Sequence, residues 1–110
     1  MLSPEFTIVG TVTDGESLVK EAERLSPDVM IVDVAMPGLS GLEAARELKK
    51  RSVGGCIVFL TVFQDASLIE EARTLGAMGY VLKSSADRDL IPAIHEALLG
   101  RFFQSPSSHQ

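Results

Sequence analysis

Cysteine is almost missing from this sequence. Cys56 is the single one in 110 residues, so no internal disulfide can form and a metal site would have to draw on other ligand types. Its expected state is a buried, inert thiol. Long apolar runs are missing too: none approaches the ~20 residues a membrane span requires, and no membrane partner is expected. The opening Met1-Leu-Ser-Pro-Glu5 has neither the basic start nor the apolar stretch of a secretory signal, which leaves a cytoplasmic home as the expectation. Basic residues are in deficit, 10 against 15 acidic, for a formal charge of -5. That balance repels phosphate backbones, so direct nucleic-acid binding by this segment is not expected. Neither a G-x-x-x-x-G-K-[ST] loop nor a G-x-G-x-x-G turn occurs, which weighs against a nucleotide-binding domain or small α/β enzyme. Histidine is scarce, and His95 in a helical stretch and His109 in the tail make poor candidates for catalysis or metal ligation. Repeats and low-complexity tracts are absent.

What is present alternates between strand and helix. Hydrophobic residues make up 45% and charged residues 23%, the balance of one folded domain. Thr7-Ile-Val-Gly-Thr-Val12 is rich in β-branched residues and ends at Asp14-Gly15, a strand followed by a turn. Leu18, Ala22 and Leu25 then share one helical face, and Ser26-Pro27 ends that helix. Val29-Met-Ile-Val32 is a continuous apolar run, the pattern of a strand covered on both faces. Leu42, Ala45 and Leu48 mark a second helix whose basic end, Lys49-Lys50-Arg51, suits the helix dipole. Cys56-Ile-Val-Phe-Leu60 is another buried strand, Leu68, Ala72 and Leu75 another helix closed by Gly76, and Tyr80-Val-Leu82 a brief strand. Leu90, Ile94, Ala97 and Leu98 form the last stripe. Pro92 lies within it, so the helix is expected either to start from an N-cap at Asp89 or to start near Asp87 with a local distortion. Residues 1–100 therefore read as one domain and residues 101–110, polar and proline-containing, as a linker or tail. Phe102 and Phe103 read as a packed helix end.

Such alternation implies a parallel sheet with helices on both faces, and in that architecture function gathers at the carboxyl ends of the strands. Those ends carry Asp33, Thr61 and Lys83. A carboxylate can act as nucleophile, an ammonium can pair with phosphoryl oxygens, and a hydroxyl can donate a hydrogen bond to one of them. Taken singly, each has an ordinary reading: a turn-forming aspartate, a strand threonine, a solvated lysine. Their joint placement is what points to phosphoryl transfer.

Pro27-Asp-Val-Met-Ile-Val-Asp33, then Met36-Pro37-Gly38 and Gly41-Leu-Glu43, resembles the phosphorylation-site segment of response-regulator receiver domains. Leu60-Thr61, Gly76-Ala-Met-Gly-Tyr80 and Val81-Leu-Lys83 resemble that family's later motifs, in the same order. The ending, Ala93-Ile94 through Gly100 to Phe103-Gln-Ser-Pro106, is similar to the NarL/LuxR subgroup, whose receivers precede a helix-turn-helix DNA-binding domain. The resemblance implies a CheY-like, flavodoxin-like three-layer α/β sandwich with a parallel sheet in the order 2-1-3-4-5. It implies Asp33 as phosphoacceptor, Lys83 as phosphoryl partner, Thr61 as switch hydroxyl and Tyr80 as switch aromatic. Asp33 and the backbone carbonyl of Ala35 would be magnesium ligands, while Met36 and Pro37 shape the adjoining loop. A histidine kinase would be the phosphodonor and a transcriptional output domain or partner protein the recipient. The role is signalling rather than enzymatic turnover, with at most self-phosphorylation and self-dephosphorylation.

The family's sheet begins with a strand ending in an acidic pair that helps to hold magnesium. Residues 1–6 correspond instead to the end of the family's first helix and the turn after it, and neither Glu5 nor Asp14 replaces the pair. Magnesium prefers an octahedral oxygen set, so its binding is expected to be weak or absent, and phosphorylation weakened with it. The missing strand belongs inside the sheet, so its neighbours are expected to close up or two chains to exchange elements as a homodimer. A phosphorylation-independent pseudo-receiver, acting as an interaction or dimerisation module, is the alternative function.

Overall fold

The structure, a computed structural model, describes residues 14–35 and 40–106. The strand expected over residues 7–12, Glu5, the loop residues Met36, Pro37 and Gly38, and His109 lie outside them.

Several described elements start where the sequence supplies a cap or a run of branched residues. Helix α1 (Gly15–Leu25) is capped by Asp14, whose carboxylate accepts from the Ser17 N–H (2.8 Å) and hydroxyl (3.0 Å). It ends at Ser26, a left-handed residue at φ 47°. Strand β1 (Val29–Asp33) follows. Helix α2 (Gly41–Lys50) opens with a capping box: Ser40 accepts from the Glu43 N–H and the Glu43 carboxylate accepts from the Ser40 N–H. Strand β2 (Cys56–Thr61), helix α3 (Ala66–Thr74, capped by Asp65) and strand β3 (Gly79–Leu82) come next. A 3-10 turn (Lys83–Ser85) leads directly into helix α4 (Ala86–Leu98), and a short strand β4 (Phe103–Gln104) completes the described order.

The four strands form one sheet in the order β1-β2-β3-β4 with every neighbouring pair parallel. Alternation along each strand splits its side chains between two apolar layers. Met30, Val32, Ile57, Phe59 and Tyr80 pack with α1, α2 and α3 through Leu18, Ala45, Leu48 and Ala72. Val29, Ile31, Val58 and Val81 face α4 through Leu90, Ala93 and Ala97. These layers on either side of the sheet are the three-layer α/β sandwich that the strand-helix alternation implies, and β1-β2-β3 reproduces the 3-4-5 portion of the expected order.

The structure changes the reading of the last third in several places. Asp89 is not the N-cap of α4. The helix starts earlier, at Ala86, so Pro92 lies in its interior and removes the donor that the Arg88 carbonyl would otherwise receive. The Asp89 carboxylate is committed elsewhere, to Arg88 and Ser105. Leu98 is not part of the buried stripe: Ala93, Ile94 and Ala97 are buried, whereas Leu98, the last residue of the helix, is exposed. Cys56 is partly rather than fully buried, with its Sγ 3.3 Å from the Ala97 carbonyl oxygen. Residues 103–104, expected within a linker, extend the sheet: Phe103 donates to the Met78 carbonyl (3.0 Å), and Ser105 donates to that of Tyr80 (2.9 Å). Phe102 packs against the larger apolar layer with the Arg73 guanidinium 4.5 Å above its ring.

Candidate functional site

Parallel pairing brings three strand ends to one rim of the sheet. Asp33 lies opposite Leu60 and Thr61 opposite Leu82, so the ends of β1 and β2 and the residue after β3 form a row. Asp33 and Lys83 meet: the Lys83 Nζ is 2.6 Å from Asp33 Oδ2. Since β2 separates β1 from β3, this ion pair reaches across the end of the intervening strand. The other carboxylate oxygen, Oδ1, accepts from the Ala35 N–H (2.9 Å). Both charged groups remain reachable from solvent, with side chains 33% exposed for Asp33 and 42% for Lys83. A pair this exposed stabilises a fold by only about 0–1 kcal/mol, so its rearrangement is cheap.

Helix α2 is pressed onto the backbone beside Asp33. Gly41 donates to the Val34 carbonyl (2.8 Å), and a Cβ at Gly41 would collide with the Asp33 carbonyl and stand 2.9 Å from the Val34 Cα. The absence of a side chain is what permits the approach.

Thr61 is not brought into hydrogen-bonding contact with the ion pair. It is buried, and its hydroxyl accepts from the Phe63 N–H (3.0 Å). Tyr80, also buried, donates from its hydroxyl to the Phe63 carbonyl (2.7 Å). The two residues expected to switch therefore hold opposite ends of one residue's backbone. Burial pushes the Tyr80 phenol above its ordinary pKa, against an opposing effect of the Thr61 hydroxyl, so it stays a donor at neutral pH. Phe63 itself turns its ring outward, 49% exposed, beside the still more exposed Val62. Sequence reasoning passed over Phe63, although two apolar residues directly after Thr61, in a stretch without strand or helix periodicity, were the available signal. It also passed over Ser105, whose signal was only the Ser105-Pro106 pair.

Among the described residues no group of three or more His, Cys, Asp and Glu side chains comes together. Asp33 and the Ala35 carbonyl would supply two oxygens to a magnesium ion, which commonly keeps several waters in its octahedral set. His95 is exposed on α4. No helix among the described residues is long and apolar enough to cross a membrane.

A parallel sheet with helices on both faces, carrying an aspartate and a lysine paired across its carboxyl rim, is the architecture of a signalling receiver. The chain belongs to the response regulator receiver domain family, whose model matches residues 1–95. It is 36% identical over 104 residues to the nitrate/nitrite response regulator protein NarL of Escherichia coli (strain K12), a match covering 94% of this chain and 48% of NarL. It is 43% identical over 97 residues to the transcriptional regulatory protein PdtaR of Mycobacterium tuberculosis, covering 88% and 46%. The crystal structure of a LuxR-family two-component response regulator from Aurantimonas sp. SI85-9A1 superposes with a TM-score of 0.88 at 31% identity, over 94% of this chain and 74% of that one. The chain spans about half the length of these curated relatives. It is thus a receiver domain of two-component systems with the CheY-like fold and NarL/LuxR-type relatives, and receivers are signalling domains rather than classical enzymes.

Proposed function

We propose that this receiver accepts a phosphoryl group on Asp33 from the phosphohistidine of a histidine kinase and passes the change to a transcriptional output. The observation that carries the reading is the 2.6 Å contact between Lys83 Nζ and Asp33 Oδ2 at a solvent-reachable rim. In the transfer, an Asp33 carboxylate oxygen attacks phosphorus, the P–N bond to the kinase imidazole breaks, and that nitrogen keeps the bonding pair. The product is an acyl phosphate. Lys83, already beside the carboxylate, neutralises the added charge of about -1.5 to -2. Receivers are in general magnesium-dependent; Asp33 and the Ala35 carbonyl would hold the ion, which would offset negative charge on the phosphoryl oxygens.

Thr61 supplies the switch in this reading. Its hydroxyl turns to donate its own proton to a phosphoryl oxygen, which draws its oxygen away from the Phe63 N–H, loosens one of the two ties on Phe63 and leaves Tyr80 holding the other. A hydrogen bond to a charged group contributes about 1.5–3 kcal/mol, whereas taking a population from about 1:99 to 99:1 needs about 5.5 kcal/mol. Thr61 therefore biases an existing equilibrium without inverting it alone. A cytoplasmic site of action, a histidine kinase and a DNA-binding output belong to the same proposal, as does a homodimer formed by exchange of elements between chains.

Incubation with a labelled small-molecule phosphodonor tests the reading. The expected product is an acid-labile, hydroxylamine-sensitive label that disappears in Asp33→Asn. Partner binding that is indifferent to both phosphodonor and Asp33→Asn would instead favour a phosphorylation-independent interaction module.

A further inference from the structure

The carboxyl end of β3 is held by a buried polar chain that the phosphoacceptor chemistry does not use. β4 stops pairing with β3 at Tyr80 opposite Gln104. Beyond that point a side chain takes over from the backbone ladder: the Leu82 N–H donates to Ser105 Oγ (3.1 Å), and that hydroxyl donates to Asp89 Oδ2 (2.8 Å). The Ser105 N–H donates to the Tyr80 carbonyl (2.9 Å), and Arg88 donates to both carboxylate oxygens of Asp89 (2.9 and 3.2 Å). Leu82, Asp89 and Ser105 are all buried. A hydroxyl has one proton to donate, and Ser105 commits it to the carboxylate while its oxygen accepts from the amide. Burying a carboxylate is costly unless it is paired and hydrogen-bonded, and here those bonds join three separate elements at the residue immediately before Lys83.

We infer that Ser105 and Asp89 are positioning residues for Lys83, forming a latch between the Asp33 site and the stretch that follows β4. The inference rests on the phosphoacceptor reading for its biological sense, and on the hydrogen bonds alone for its geometry. Lys83 must reach across β2 to meet Asp33, so its ammonium is placed only as well as the backbone at Leu82 is fixed. Coupling of this kind is reciprocal: a closed latch favours the Lys83 pairing, and an anion at position 33 that holds Lys83 favours the closed latch. The stretch from Phe103 to Ser105 is thereby coupled to the charge state of the rim.

Amide exchange and side-chain NMR on the full 110-residue chain test the latch from both ends. Ser105→Ala is expected to speed exchange of the Leu82 amide roughly tenfold and to shift the Lys83 Cε and Nζ resonances toward those of an unpaired lysine. Ser105→Thr, which keeps the hydroxyl, is expected to restore both. From the other end, Asp33→Asn removes the partner of Lys83 without touching the latch, and is expected to speed exchange at Leu82 and Ser105 several-fold. Where the phosphodonor labels the wild type, Ser105→Ala is expected to label several-fold more slowly at unchanged far-UV dichroism. A Ser105→Ala chain that frays at residues 103–106 while its Lys83 resonances stay as in wild type would overturn the inference, as would Leu82 and Ser105 amides indifferent to Asp33→Asn. A wild type that takes no label would count against the phosphoacceptor reading only, because the exchange and Lys83 measurements need no phosphodonor.

Discussion

The Tyr80 hydroxyl donates to the Phe63 carbonyl at 2.7 Å, tying the middle of β3 to the stretch between β2 and α3. Thr61 holds the N–H of the same residue, so removing the phenol separates the two ties. Tyr80→Phe is expected to lower stability by about 0.5–1.5 kcal/mol, the usual net value of one hydrogen bond. Urea unfolding gives the magnitude. Amide exchange should quicken at Val62 and Phe63 while β1 keeps its protection; uniform quickening throughout the sheet would contradict a local tie.

Asp33→Asn separates chemistry from stability. The ion pair with Lys83 is exposed, so its loss is expected to change the unfolding free energy by less than about 1 kcal/mol while abolishing any acyl phosphate. A loss of several kcal/mol in the same urea titration would mean that the pair is structural.

Gly41→Ala places a methyl group against the Asp33 carbonyl. Because the obstacle is backbone on both sides, α2 has to retreat from β1, at an expected cost of about 1–3 kcal/mol. The displacement should also move the Asp33 and Ala35 amide resonances. Wild-type thermal stability in this variant would show that the helix approach is looser than described.

The pH dependence of folding should carry the mark of Asp89. Its carboxyl is held below the ordinary carboxylate pKa by the hydrogen bonds from Arg88, against the effect of burial and with further help from Ser105. A depressed folded-state pKa means that the unfolded chain binds the proton more tightly. The contribution is therefore complete above the unfolded value of about 3.9 and is lost as pH falls from there through the folded value. Asp89→Asn should flatten that acid limb while leaving the slope between pH 6 and pH 8 (roughly the neutral range) unchanged. An acid limb of equal steepness in both proteins would remove Asp89 from this role.

Legibility in the sequence followed the kind of force that sets each feature. The runs Val29–Val32 and Cys56–Leu60 declared their strands because burial on both faces demands continuous apolar residues, and the strand ends then located Asp33, Thr61 and Lys83 on one rim. The Asp33–Lys83 contact follows from that placement. The hydroxyl of Thr61 was not legible in the same way, because its choice of the Phe63 N–H depends on a local turn with no periodic signature. The two-residue strand at Phe103–Gln104 is held by backbone hydrogen bonds and by Ser105, so hydrophobic alternation had too little length to show it. Pro92 left two helix starts open, and the structure takes the one near Asp87: the 3-10 turn after β3 fixes the start of α4 at Ala86, and Asp89 is drawn away from capping by Ser105.

The placement of Phe103 and Gln104 along β3 has a practical side. Those residues occupy the hydrogen-bonding flank of β3 that would otherwise stand open, and an open flank of a Val- and Leu-bearing strand is a template on which another molecule can add itself. A protein shortened to end at Gly100 would keep every residue of the rim yet present that bare flank. Such a fragment should scatter more light with rising concentration than the 110-residue chain does.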